Sequence, residues 1–241
     1  RLENLPESSR WYPGAGLYRN VHIIVTENAY IPVWGTYVTT PTVTKKFAKV
    51  DVQTKIVLPE GANAGKYSVK TSVWNSNGQK LTEQTTPLSQ IKYNENSLSQ
   101  EFIIQTPTLW SLDMPALYSA ETRLYEGDKL KDIYTTPFGI RSIEIIPNKG
   151  FFLNGEKTVF KGVCNHHDLG PLGAAVNDAA IRRQIRILKD MGCNAIRTSH
   201  NMPAPELVKA CDEMGMMLMA ESFDEWNKAK CANGYNLIFD E

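Results

Sequence analysis

The periodicity of the apolar residues changes near residue 140, and no other feature constrains the fold of this chain as strongly. Before the change, segments such as residues 49–58 and 66–74 alternate apolar and polar residues, and turn signals separate them. A period of two is typical of strands that bury one face. Residues 29–139 contain such segments and no helical pattern, which predicts an antiparallel β-sandwich.

After residue 140 the pattern alternates between strand and helix. Residues 151–160 predict a β-hairpin around Asn154-Gly155, a pair that is favoured in two-residue turns. Short apolar strands then alternate with amphipathic helices in the order 160–164, 178–191, 193–196, a helix opened by Pro205 and ended by Gly215, and 216–220. Buried strands joined by amphipathic crossovers favour a parallel sheet.

The composition excludes several classes of protein. The chain carries 26 Lys and Arg against 26 Asp and Glu, so it lacks the basic excess of a nucleic-acid-binding surface. Hydrophobic residues make up 42% and aromatic residues 10% of the chain, which argues against intrinsic disorder. No apolar run approaches the roughly 18–20 residues that cross a bilayer. We therefore expect a soluble globular chain with neither nucleic acid nor membrane among its partners.

The cysteines fit neither a zinc motif nor a disulfide framework, and we expect free, mostly buried thiols at Cys164, Cys193, Cys211 and Cys231. The predicted sandwich lacks the Cys…Trp…Cys pattern of antibody domains, so it would be Ig-like without that disulfide. The chain starts with Arg1 instead of Met and ends at Glu241 without a polar tail, so both ends are expected to be cut. A signal peptide therefore cannot be judged, and the compartment stays open between periplasm and cytoplasm.

Each predicted parallel strand runs directly into a polar cluster. The clusters comprise residues 165–168, 197–201 and 221–226, and they hold three of the four histidines. Function gathers at the carboxyl ends of the strands in parallel α/β folds. The many hydrogen-bonding groups at this edge predict a cleft for a hydroxyl-rich ligand.

Two other chemistries are disfavoured at these strand ends. The candidate zinc ligands are His166, His167, His200 and Asp168. However, no helix carries a His-x-x-x-His pair, and Arg197 would bring a positive charge near the metal ion. A serine nucleophile is disfavoured because Ser199 and Ser222 lack a Gly-x-Ser-x-Gly turn.

Residues 194–203 resemble the Asn-x-x-Arg-x-Ser-His signature of glycoside hydrolase family 2. Further segments resemble the family in the same order: 10–19 at the end of a jelly roll, 109–118 in the closing strands of the sandwich, 138–141 at the junction with the barrel, and 160–167. The resemblance implies three parts, namely residues 1–28 from the jelly roll, 29–139 as the Ig-like sandwich, and 140–241 as the first three βα units of a (β/α)8 TIM barrel.

Members of this family are retaining exo-glycosidases, so the resemblance implies hydrolysis of terminal sugars by two carboxyl groups about 5–5.5 Å apart. Residues 166–170 and 221–226 most resemble the β-galactosidases, which implies a β-D-galactoside as the substrate. Both catalytic glutamates of the family follow later barrel strands, so we expect neither in this chain and no activity from it alone. The alternatives are a β-glucuronidase, a β-mannosidase and a non-catalytic fragment that only contacts carbohydrate or protein.

The resemblance also implies roles for residues of the polar clusters. His166 and His200 would contact sugar hydroxyls or steady the transition state, and Arg197 would orient the nucleophile and hold it ionised. The sugar pocket would be lined by Asp224, Glu225 and Trp226. For each of these residues the alternative role is to brace the barrel rim.

Glu225 also falls where some β-galactosidases hold magnesium, but Asn227 replaces the histidine of that site, so we expect no cofactor. Glu221 and Glu225 are disfavoured as the catalytic pair, because such carboxylates normally come from different strands. The apolar run 214–220 would leave an exposed strand edge in the partial barrel, which favours a homo-oligomer or self-association.

Overall fold

The computed structural model describes residues 5–8, 16–90, 97–222, 224–234 and 236. The chain divides into two compact units, Ile23–Val159 and a second unit that joins Arg1–His22 to Phe160–Glu241. Of residues 1–28, which the resemblance assigns to a jelly roll, residues 1–4 and 9–15 lie outside the described residues, and residues 16–28 contain no strand. The two predicted domain boundaries, after residues 28 and 139, stay predictions.

Strands dominate the first unit, Ile23–Val159, beside short 3-10 turns at Ala64–Lys66 and Leu88–Gln90. The strands are β1 (Thr36–Val43), β2 (Phe47–Lys55), β3 (Tyr67–Trp74), β4 (Lys80–Pro87), β5 (Ser97–Gln105), β6 (Tyr118–Glu126), β7 (Lys129–Phe138), β8 (Ile143–Ile146), β9 (Gly150–Leu153) and β10 (Glu156–Lys157).

Two antiparallel sheets of this unit bury their side chains together in two core clusters. One has the strand order β1-β2-β5 and the other the order β4-β3-β6-β7. In β2 the alternation seen in the sequence places Ala48, Val50 and Val52 in the core. Val73 and Ala120 join them from the second sheet. The predicted antiparallel sandwich is confirmed.

A small antiparallel sheet with the order β10-β9-β8 follows the sandwich. It contains the predicted hairpin, whose Asn154 and Gly155 have φ angles of +54° and +81°, as a type I′ turn requires. The Asn154 side chain accepts the N–H of Ser142 and donates to the carbonyl of Trp110, both at 3.0 Å. Asn154 therefore ties the hairpin to the loops that precede β6 and follow β7.

In the second unit, strands and helices alternate. These elements are β11 (Gly162–Asn165), α1 (Asp178–Asp190), β12 (Ala195–Thr198), α2 (Pro205–Met214) and β13 (Met217–Met219), with a 3-10 turn at Gly170–Leu172. No helix within the described ranges is long and apolar enough to cross a membrane.

The strands of the second unit form a parallel sheet with the order β11-β12-β13, and the helices cover one of its faces. Ile181 and Ile185 of α1 pack with Ile196 of β12 in a buried cluster. The helix α1 begins where the Asn177 side chain accepts the N–H of Ala180 at 3.0 Å. This β-α-β-α-β order confirms the start of a βα barrel.

The strand β12 begins later than its predicted start at Cys193. The N–H of Cys193 donates to the carbonyl of Leu188 at 2.9 Å, and the N–H of Asn194 donates to the carbonyl of Lys161 at 2.7 Å. Because Cys193 still closes the end of α1, the parallel ladder starts only at Ala195.

The sheet face opposite the helices carries Cys164, Arg197 and Met219 in one row of the strand register. Cys164 is exposed on this face, and Met219 is 57% exposed. None of the four cysteines forms a disulfide, but only Cys211 is fully buried. The expectation of mostly buried thiols is therefore wrong, most clearly for Cys164, because the helices do not cover its side of the sheet. Self-association through this unit stays a prediction.

Candidate active site

The carboxyl ends of β11, β12 and β13 bring predicted site residues together. The rings of His166 and His200 lie edge to face with their centroids 5.4 Å apart. His200 Nδ1 lies 3.4 Å from Arg197 Nη2 and 3.8 Å from Asp224 Oδ1. His166, Arg197, His200 and Asp224 therefore form one cluster, and their roles toward a sugar stay predictions.

Glu221 is the carboxylate that contacts both Arg197 and His200 in this cluster. From the sequence it was considered only as a member of a catalytic pair, and that role was disfavoured. Its Oε2 lies 2.8 Å from Arg197 Nη2 and 3.2 Å from His200 Nδ1. The backbone N–H of Glu221 donates to Thr198 Oγ1 at 2.9 Å and so attaches the loop after β13 to the end of β12. The sequence did contain a signal for this contact, since Arg197 lies near the end of β12 and Glu221 follows the neighbouring parallel strand β13.

The other terminal nitrogen of Arg197 faces β11. Arg197 Nη1 donates to Ser199 Oγ at 3.2 Å and to Cys164 Sγ at 3.5 Å. Hydrogen bonds from Arg197 and Ser199 hold the pKa of the Cys164 thiol below its ordinary value. An exposed thiol with an increased thiolate fraction therefore stands beside the guanidinium.

Cys164 is expected to be the cysteine that iodoacetamide alkylates first at pH 7. It is exposed and its pKa is lowered, so more of it is thiolate than in an ordinary cysteine. Cys211 is expected to stay unmodified, because burial raises its pKa to about 12. Peptide mass spectrometry after timed alkylation measures both rates.

The matched variant for this experiment is Arg197→Ala, which removes the principal cause of the lowered pKa at Cys164. We expect slower alkylation of Cys164 and an unchanged rate at Cys193. A rate at Cys164 that does not change would show that Arg197 does not control this thiol.

The Nδ1 atom of His200 contacts both members of the ion pair between Arg197 and Glu221. Arg197 can only donate a hydrogen bond, whereas the ionised carboxylate of Glu221 can only accept one. Because Arg197 Nη2 already pairs with Glu221, we assign the proton of His200 Nδ1 to its contact with Glu221. In the neutral ring this assignment leaves Nε2 as an acceptor.

His167 packs against the amino-terminal segment of the same unit. Its ring stacks on Tyr18 with the centroids 5.0 Å apart, and the Arg19 guanidinium lies 5.4 Å from the centroid of the Tyr18 ring. Burial lowers the pKa of His167, which favours the neutral ring. The adjoining cavity offers about 60 Å³ to the centres of water-sized molecules, which is room for several waters.

Glu225 is buried, with 1% of its surface exposed, and its carboxylate faces the loop of residues 230–234. Glu225 Oε2 accepts the N–H of Lys230, and Oε1 lies 3.8 Å from Cys231 Sγ. A Cβ atom on Gly234 would stand 1.4 Å from Oε1, so the loop packs directly on the carboxylate. Trp226 is 59% exposed, as a stacking platform requires.

These residues do not fit a magnesium ion. Mg²⁺ needs oxygen ligands at about 2.0–2.1 Å in near-octahedral geometry. The Glu225 carboxylate is instead bonded to Lys230 and packed by Gly234, and the Lys230 ammonium lies 3.5 Å from Asp224 Oδ1. In the part of the chain that the structure describes, no group of three or more His, Cys, Asp or Glu residues is arranged to hold a metal ion.

An Ig-like sandwich and the first βα units of a barrel follow one another along this chain, and charged side chains meet at the ends of the barrel strands. The chain belongs to glycoside hydrolase family 2. The sequence model of Glycosyl hydrolases family 2 matches residues 29–141, and the model of the TIM barrel domain of that family matches residues 144–238.

Several relatives are similar over most of the chain. The beta-galactosidase BoGH2A of Bacteroides ovatus is 43% identical over 100% of this chain and 28% of its own length. A beta-glucuronidase of Bacteroides fragilis is 30% identical over 86% of this chain and 30% of its own length. The crystal structure of a family 2 member from Bacteroides cellulosilyticus matches with a TM-score of 0.89 and 37% identity over 97% of this chain and 30% of that one. The chain thus spans less than a third of the length of these relatives.

Proposed function

We propose that this chain is part of a retaining exo-glycosidase that hydrolyses terminal β-D-galactosides. The observation that carries the proposal is the Arg197–Glu221–His200 cluster at the carboxyl ends of the barrel strands in a member of glycoside hydrolase family 2. The beta-galactosidase name of the relative from Bacteroides ovatus supports the choice of sugar. The acid/base and nucleophile glutamates would come from barrel strands beyond these 241 residues.

Arg197 would orient the nucleophile and keep it ionised. A cation close to a carboxylate lowers the pKa of that carboxylate, and an ionised carboxylate is the form that attacks the anomeric carbon. Glu221 holds one end of the guanidinium and Ser199 the other, at 2.8 Å and 3.2 Å. Arg197 is therefore positioned before a substrate binds, which is the preorganisation that electrostatic catalysis needs.

His200 and His166 would recognise sugar hydroxyls. With the proton of His200 on Nδ1 and directed at Glu221, the acceptor Nε2 is available to a hydroxyl donor. The edge-to-face contact with His166 fixes the plane of each ring against the other. Two imidazoles held in this way offer a directional contact to a neutral sugar.

Trp226 and Asp224 would complete the pocket. The exposed indole of Trp226 can stack on the apolar face of a galactose ring, while Asp224 lies beside His200 with a side chain that is 9% exposed. Glu225 supports this wall from behind, since its carboxylate anchors the loop that follows.

The proposal is tested with the extended enzyme, meaning a polypeptide that continues this chain to the length of its relatives. We expect it to hydrolyse an aryl β-D-galactoside, with the β-anomer of galactose formed first in the proton NMR spectrum. We expect the 241-residue chain alone to release no aryl alcohol, because proton donor and nucleophile would both be missing. Turnover by the 241-residue chain that Glu221→Gln abolishes would instead make Glu221 and Glu225 the catalytic pair.

A β-glucuronidase is the second candidate, because the relative from Bacteroides fragilis carries that name. A glucuronide adds a carboxylate that needs a cationic partner, whereas a galactoside does not. Parallel assays of the extended enzyme with aryl β-D-galactoside and aryl β-D-glucuronide separate the two. A kcat/KM that is higher for the glucuronide would overturn the galactosidase assignment.

A further inference from the structure

Lys230 brings a positive charge into the acidic loop after β13. Its ammonium donates to the backbone carbonyl of Asp224 and lies 3.5 Å from Asp224 Oδ1. Its backbone N–H donates to the carboxylate of Glu225. One residue therefore contacts both acidic residues, and the contacts close residues 224–230 into a compact loop.

The carboxylates in this loop are withdrawn from solvent. The side chain of Asp224 is 9% exposed, and Glu225 is 1% exposed. Burying carboxylates is unfavourable unless hydrogen bonds and opposite charge compensate for the lost water. The Lys230 side chain remains 42% exposed, so its ammonium reaches the loop from the solvent side.

The same ammonium ends a row of alternating charges across the candidate site. Arg197 pairs with Glu221 at 2.8 Å, and Glu221 contacts His200 at 3.2 Å. His200 lies 3.8 Å from Asp224, which in turn lies 3.5 Å from the ammonium of Lys230. Two fixed cations thus flank two carboxylates that share the His200 ring.

We propose that Lys230 is the resident cation of this loop and takes the place that a divalent metal ion would otherwise fill. Lys230 is then a positioning residue: it holds Asp224 against His200 and orders the loop without a metal. The inference goes beyond the proposed hydrolysis, because it concerns the loop alone. The two proposals are therefore independent, and either can be wrong while the other is right.

Terbium luminescence in the 241-residue chain tests the proposal, because Tb³⁺ binds carboxylates as Ca²⁺ does and a nearby indole sensitises its emission. Trp226 stands next to the loop as the sensitiser. The wild-type chain is expected to give no saturable emission. Lys230→Met is expected to give saturable emission and to bind Tb³⁺ at least about tenfold more tightly, because it leaves the carboxylates without their ammonium.

The control variants assign the signal to this loop. Lys230→Arg keeps the charge and is expected to behave as the wild type. Adding Asp224→Asn to Lys230→Met is expected to abolish the emission. Adding Trp226→Phe to Lys230→Met is expected to remove the sensitised emission, while direct excitation of Tb³⁺ still reports its binding. Circular dichroism of each variant establishes that the chain is folded.

Every result decides the proposal. If the wild type binds Tb³⁺ as tightly as Lys230→Met, the ammonium does not occupy the place of a metal ion and the proposal is wrong. If neither chain binds, the loop offers no such place and the proposal is equally wrong. If Lys230→Met does not fold, Lys230→Gln removes the same ammonium and takes its place: saturable emission from Lys230→Gln supports the proposal, and its absence contradicts it.

Discussion

Arg197→Ala in the extended enzyme is expected to lower kcat by about 10²–10³-fold with an aryl β-D-galactoside, which is the usual cost of removing one preorganised electrostatic group. KM is expected to change little, since the proposed partner of Arg197 is the nucleophile and not the ground-state sugar. Steady-state kinetics over a full substrate range measure both parameters. The expectation follows from the fixed position of Arg197 between Glu221 and Ser199.

The pH profile of Arg197→Ala shows whether Arg197 acts through its positive charge or through the planar shape of its guanidinium group. If Arg197 keeps the nucleophile ionised, its loss raises the pKa of that carboxylate. The acid limb of kcat/KM then moves to higher pH, because activity requires the deprotonated form. Arg197→Lys keeps a cation but loses the planar fork, so it is expected to retain the acid limb and to recover only part of kcat. An increase in KM alone would make Arg197 a plain substrate contact.

The architecture was accessible from the sequence because periodicity reports burial directly. The alternation of Val50 and Val52 with polar residues follows from one buried sheet face, and Ile181 and Ile185 lie on one helix face. The turn at Asn154 was also predictable, because the pair Asn154-Gly155 is favoured in two-residue hairpin turns. Residues 109–111 could not be assigned from the sequence alone, since the resemblance favoured a closing strand and the structure places them in the connection before β6.

The sequence predicts which residues lie in the candidate site, but it does not predict which of their side chains contact each other. A polar cluster after each parallel strand brings Arg197 and His200 to one edge, because those strands end together. Which carboxylate meets the guanidinium depends on side-chain direction and on the Thr198 contact that holds Glu221. Glu225 is buried because the loop that contains Lys230 packs against it. No pattern within residues 221–226 predicts that loop.

Trp110→Ala is expected to lower the free energy of unfolding of Ile23–Val159 by about 3–5 kcal/mol, as for other large-to-small changes in a core. Trp110 is 1% exposed. Gly139 is packed so closely on it that an added Cβ would stand 2.9 Å from Trp110 Cβ, and the Arg141 guanidinium lies 4.8 Å from the ring centroid. Removing the indole therefore leaves a cavity and also removes a cation–π contact.

Trp34→Ala is the matched control, because Trp34 belongs to the same unit and is 71% exposed. Its backbone N–H donates to Tyr134 Oη, a contact that alanine keeps, so the expected change is within about 0.5 kcal/mol. Hydrogen exchange at the amides of β3 and β6 in increasing urea reports this unit separately from the second one. If both variants lose the same stability, the indole of Trp110 does not hold the loops around β6 and β7 together, and the two backbone contacts of Trp110 with Ile140 and Asn154 do so instead.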